Sequence, residues 1–176
     1  MKLFNGRLNP KNYIIGVIIF WILGFVAAAP SWIILYAQHL DKLRTLSEVE
    51  LTKFVASQFS IFSVGGVIFY TLTSVVIFLS LGISVRRLHD LGKSGALAGL
   101  IILDFFTKRI FAEWILFSGF KADISATWIL QIPNLVSVVT GIFVIYLIIK
   151  KGEERANQYG EIPTNKTTLK NILLAK

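Results

Sequence analysis

Of 176 residues, 55% are apolar and only 16% charged, below the quarter or so of charged positions usual in soluble domains. The absence of cysteine excludes disulfides, thiolate zinc sites and cysteine nucleophiles. The net charge of +8 and sequence pI near 9.8 suit basic loops beside a phospholipid bilayer and call for no nucleic acid partner.

In chain order, the first segment holds Lys2, Arg7 and Lys11 and no acid. It leads into Tyr13 to Tyr36, a run without acids or bases and long enough for ~30 Å of hydrocarbon. Ala27-Ala28-Ala29 resembles a signal-peptide cleavage site, but the apolar run continues to Tyr36 and Pro30 would follow the cut directly. An uncleaved span over 13–36 is therefore expected, bent near Pro30. Between Gln38 and Lys53, Leu43, Leu46, Val49 and Leu51 alternate with charges. This pattern predicts a short interfacial helix with Ser47 as its cap before Glu50.

Phe54 to Val85 is uncharged almost throughout and longer than one crossing needs; a span is placed at 58–85, with Gly65-Gly66 available for close helix contact. Ten residues follow, Arg86 to Gly95, reading RRLHDLGKSG and holding two arginines, a histidine, an aspartate, a lysine and two glycines. The third apolar segment, 93–107, is short: twelve core residues from Gly95 to Phe106 reach only about 18 Å. It crosses fully if Lys108 and Arg109 snorkel outward, and a re-entrant half-span is the rival reading. Ile110 to Phe120, rich in aromatics, suits the headgroup boundary. The fourth span covers 126–149, with Gln131, Asn134 and Ser137 on one face for interhelical hydrogen bonds, and a polar tail fills 150–176.

Charge orients these segments. Residues 1–12, 84–94 and 150–176 carry +3, +2 and +3, while 38–53 and 104–125 are neutral. Basic loops favour the cytoplasmic face, so four crossings with both termini cytosolic put twelve bases inside and six outside. The expected fold class is all-α: a single-domain, polytopic transmembrane bundle of four spans, the third short, with short interfacial helices.

The central turn supports two readings. Arg86 and Asp90 are four apart and Arg87 and Asp90 three apart, so either pair suits a helical ion pair. Gly92 and Gly95 permit a reversal, and Ser94 can cap the next helix. Arg86, Arg87 and Lys93 then form an anion site at the membrane surface, or the turn is a topogenic anchor. His89 beside Asp90 suggests acid–base chemistry, but helical neighbours point about 100° apart, and no further catalytic constellation accompanies them. His39 and His89 fall on opposite sides of the membrane, so no metal or other cofactor is expected.

Arg86 to Gly95 resembles, at every defined position, the Arg-Arg-Leu-His-Asp-x-Gly-x-Ser-Gly hallmark of the bacterial inner-membrane proteins called domain of unknown function 805. Phe4, Gly6, Arg7 and Tyr13 are similar to that family's N-terminal signature. Gly152, then Asn157, Tyr159, Gly160 and Pro163, are similar to its C-terminal one. The chain departs at Ala96 and Leu97, where the family has two tryptophans, at Ile14 in place of a tryptophan, and by an apparent insertion from about Asp104 to Thr127. The resemblance implies a small helical membrane protein without an established activity. All three signatures fall on the side assigned to the cytosol. One polar cluster is therefore expected, built from Arg7, Arg86, Arg87, His89, Asp90, Asn157 and Tyr159 with Lys93 nearby. It would serve a non-enzymatic binding, scaffolding or regulatory role and hold an anionic lipid headgroup, a membrane-protein partner or a second copy. A small transporter or lipid-handling protein, and an enzyme using His89 and Asp90, are the alternatives.

Overall fold

The computed structural model describes residues 3–117, 131–163 and 166–173, and its elements there are helical. In order they are α1 (Pro10–Thr45), α2 (Glu48–Gln58), α3 (Val64–Asp90), a single 3-10 turn (Gly95–Ala98) entering α4 (Gly99–Phe117), α5 (Ile132–Ile149) and α6 (Leu169–Leu173). Three of them, α1, α3 and α5, are long and apolar enough to cross a membrane. α4 is of similar length but carries Asp104, Lys108, Arg109 and Glu113.

Local chemistry sets the boundaries and moves several of them from their expected places. α1 opens with Pro10, whose missing N–H is harmless in a first turn, and Asn9 accepts the Asn12 N–H at 2.7 Å. The helix continues past the expected end at 36 to Thr45. Its departure from helical dihedrals falls at His39 (φ −135°, ψ 19°), not at Pro30, which stays inside the helix. His39 packs edge-on against Phe54 of α2, so the break lies where the chain turns to meet that helix. The 38–53 stretch is thus divided between the end of α1 and the start of α2. Ser47 and Glu50 form a reciprocal capping box at the α2 N-terminus.

α3 begins at Val64, six residues beyond the expected 58. Ser63 accepts the Gly66 N–H at 2.9 Å, and the Ser60 carbonyl occupies the space a Cβ on Gly66 would need. Gly66 therefore serves this turn rather than contact between spans, while Ser31 of α1 donates to the Gly65 carbonyl at 2.8 Å. The third segment does not stop at 107. α4 runs to Phe117 because its charges pair within the helix, Lys108 with Asp104 at 2.9 Å and Arg109 with Glu113. The start of the stretch expected at the headgroup boundary, from Ile110, is continuous with α4; its end from 118, like the expected start of the fourth span at 126, lies outside the described residues.

The core forms where α1 and α3 pack together and meet α5 and α6, through Tyr13, Phe20, Ile83, Leu88, Phe143, Leu147 and Ile172. Elsewhere large apolar side chains face outward, Trp21 at 72% exposure and Phe25 at 71%, as surfaces turned to lipid do. α4 and α5 are antiparallel: Ser137 donates to Asp104 at 2.7 Å and Thr140 to the Leu100 carbonyl at 3.3 Å. The C-terminal ends of α3 and α5 and the N-terminal ends of α1 and α4 consequently gather at one end of the bundle.

Candidate functional site

Helical spacing at the end of α3 sends its polar residues in different directions. Arg87 and Asp90, three apart, share one face and pair, Nη1 to Oδ2. Arg7 arrives from the extended N-terminal segment and reaches the other oxygen, Oδ1, from Nε at 3.1 Å and Nη2 at 3.0 Å. Asp90 is thus bracketed by two guanidinium groups. Arg87 is 0% exposed and Asp90 2%, so bulk solvent does not screen these charges.

The remaining guanidinium N–H groups go to backbone carbonyls. Arg87 donates from Nε to Leu147 at 2.8 Å, from Nη1 to Leu8 at 3.5 Å, and from Nη2 to Lys150. Leu147 and Lys150 lie at the C-terminal end of α5, where carbonyls lack helical partners and cations are favoured. Arg7 donates to the Arg155 carbonyl at 2.5 Å, to Gly160 at 3.5 Å and to Glu153. Two backbone hydrogen bonds fix the seam, Leu8 N–H to the Arg86 carbonyl at 3.0 Å and Glu153 N–H to the Asp90 carbonyl at 2.8 Å. The approach demands glycine at 152, because a Cβ there would collide with the Asp90 carboxylate. Gly92 makes the reversal after α3 in the left-handed region, φ +69°, closely covered by Glu153.

His89 faces away from the bracket. Its Nδ1 lies 3.2 Å from the Gly6 carbonyl, and its ring stacks on Tyr159 with centroids 3.9 Å apart and planes 2° from parallel. Asn157 donates to the His89 carbonyl at 2.9 Å and turns the chain through a bridge with Gly160. The carboxylate next to the imidazole in sequence is therefore occupied by arginines rather than oriented toward it.

Arg86 separates from its neighbour. It pairs with no carboxylate among the described residues; Nη1 donates to the Ile172 carbonyl at 2.8 Å and Nη2 to Asn171 at 3.0 Å. Of the two helical ion pairs the spacing allowed, only Arg87–Asp90 forms, since Arg86 is drawn to α6. Lys93 does not join the cluster: its side chain is exposed and its backbone N–H closes the turn on Leu88 at 2.9 Å. The structure thus brings together Arg7, Arg87, His89, Asp90, Asn157 and Tyr159, sets the Arg86 side chain apart against α6 and leaves Lys93 outside.

Sequence reasoning missed the α6 contribution. Asn12 donates to the Lys166 carbonyl and accepts from Thr167, and Thr168 caps α6 by accepting the Asn171 N–H at 3.1 Å. A threonine three residues before Asn171, ahead of Ile172 and Leu173, was the legible signal.

The three segments that meet here are those that carried the resemblance. The family model described as Protein of unknown function (DUF805) matches residues 2–161. The chain belongs to that family. No curated protein and no solved structure matches it. The DUF805 match includes the whole Arg7–Asp90–Arg87 bracket and ends before α6.

Proposed function

We propose that the protein is an integral membrane protein that crosses the plasma membrane of a bacterium four times, with both termini cytosolic, and acts without catalysis as a binding or scaffolding protein. One observation carries the reading: Arg87, at the C-terminal end of α3, holds the carbonyls at the C-terminal end of α5. Two apolar helices that run the same way and finish side by side need a return path between them. α4 is the segment available, antiparallel to α5 and about 28 Å long at ~1.5 Å per residue. Its charged residues are compatible with that path because they pair with each other and with Ser137.

The gathered end carries the three segments with excess positive charge, which supports its assignment to the cytosol. There the bracket closes the bundle. Arg7 and Arg87 turn their N–H groups to Asp90 and to backbone, an arrangement suited to holding four segments together. Asp90 so occupied leaves His89 without a carboxylate to orient it, which favours binding over acid–base work.

Paired fusions test the topology. A fluorescent protein that folds only in the cytosol is expected to glow after residue 176. A phosphatase active only outside is expected to work when inserted between 118 and 130. A tail on the opposite side from Gly92 overturns the four-crossing reading.

A further inference from the structure

We infer that Arg86 is a binding site for the phosphate of an anionic lipid, covered in this structure by the chain's own α6. The inference rests on the four-crossing reading, which places this end of the bundle at the membrane surface. Among three buried arginines, two share Asp90, while Arg86 is 3% exposed and has no counter-ion among the described residues. Its Nε has no hydrogen-bond partner there either. Removing a cation from water without an anion is unfavourable, and neutral carbonyls compensate it only in part.

α6 presents two things to this place. Its Asn171 and Ile172 carbonyls meet the guanidinium, and the Ile172 side chain, 2% exposed, fills a notch between α1 and α3. The notch is floored by Gly16, whose added Cβ would lie 3.2 Å from Ile172 and 2.9 Å from Ile83. A phospholipid offers the same pair of groups, phosphate oxygens for the arginine and hydrocarbon for the notch. Its oxygens are charged, so it supplies the counter-ion that the α6 carbonyls lack and can accept two guanidinium N–H groups at once. α6 also lies outside residues 2–161, so the family match ends before the segment that covers Arg86. Tail and lipid therefore compete for one site, and each weakens the other by the same factor.

The test uses the full chain in detergent. In native mass spectrometry against equimolar phosphatidylglycerol and phosphatidylcholine, Ile172→Lys, which sets a cation beside Arg86 and expels the tail, is expected to raise phosphatidylglycerol retention about tenfold. Adding Arg86→Gln to that variant should return retention to the wild-type value. The wild-type protein gives an independent measure: phosphatidylglycerol should speed tryptic cleavage after Lys170, and phosphatidylcholine should not. Acceleration by inorganic phosphate alone assigns the same anion site to a soluble phosphate. Retention indifferent to Arg86→Gln, or cleavage indifferent to both anions, overturns the proposal. Neither result touches the topology, which the fusions read separately.

Discussion

Two polar assemblies stand toward opposite ends of the bundle and are built on different plans. Near the far end of α3, Arg109 of α4 pairs with Glu113 one turn away, lies over the Tyr70 ring at 3.8 Å and donates to the Phe59 carbonyl at 3.2 Å. Glu113 in turn accepts from Ser60 and from the Ile61 N–H. The ion pair is local to one helix, and its side chains keep 11% and 17% exposure. The Arg7–Asp90–Arg87 bracket, in contrast, joins segments far apart in the chain, with both arginine side chains at 0% exposure. The partly exposed pair ties α4 to the turn between α2 and α3; the buried bracket joins the N-terminal segment, α3, the end of α5 and the tail with no solvent to replace a lost partner.

The sharpest way to break this comparison is to remove the anion from each. Asp90→Asn leaves two buried guanidinium groups facing a neutral amide and should lower unfolding free energy by about 3–5 kcal/mol, read by denaturant titration in micelles. Glu113→Gln should lower it by about 1 kcal/mol or less, its partner retaining Tyr70 and the Phe59 carbonyl. Equal losses would erase the distinction. Next in size is Gly152→Ala, which pushes a methyl group into the Asp90 carboxylate and should destabilise by about 1–3 kcal/mol without changing any charge. Ser137→Ala, which cuts the link from α5 to Asp104, should cost about 0.6 kcal/mol, the usual size for one hydrogen bond between membrane helices.

The smallest effect concerns α2. The Ser47 hydroxyl and backbone N–H hold the exposed Glu50 carboxyl below its ordinary range. A group depressed on folding contributes stability that is present above its unfolded value and fades as pH falls through the lower folded one. Amide protection factors in α2, referred to the intrinsic exchange rate at each pH, should therefore fall on acidification below the ordinary carboxylate range, and Glu50→Gln should flatten that response.

Sequence reading found the apolar helices because uncharged runs of about twenty residues leave few other fates. It put Arg7, Arg87, Asp90, His89, Asn157 and Tyr159 at one end of the chain's helices because charge excess and three family signatures fell in the same alternate segments. It placed the ends of elements less well, for physical reasons that can be named. Ser60 and Ser63 sit in an uncharged run and look like span residues, yet their hydroxyls and carbonyls build the turn that delays α3 to Val64. Lys108, Arg109 and Glu113 look like the end of a span, yet in-helix pairing lets α4 continue through them. The separate fates of Arg86 and Arg87 were not legible because adjacent helical residues diverge, and what each meets depends on segments sixty or more residues away.

The bracket also fixes an order of events during biosynthesis. Arg7 and Arg87 leave the ribosome before several acceptors they require, the carbonyls of Leu147, Lys150 and Arg155. Insertion of the helices can proceed segment by segment, but the bundle stays unlatched until residue 155 has been made. A nascent chain stopped before residue 147 would hold Arg7, Arg87 and Asp90 with those carbonyls missing, and several guanidinium N–H groups would then lack their acceptors.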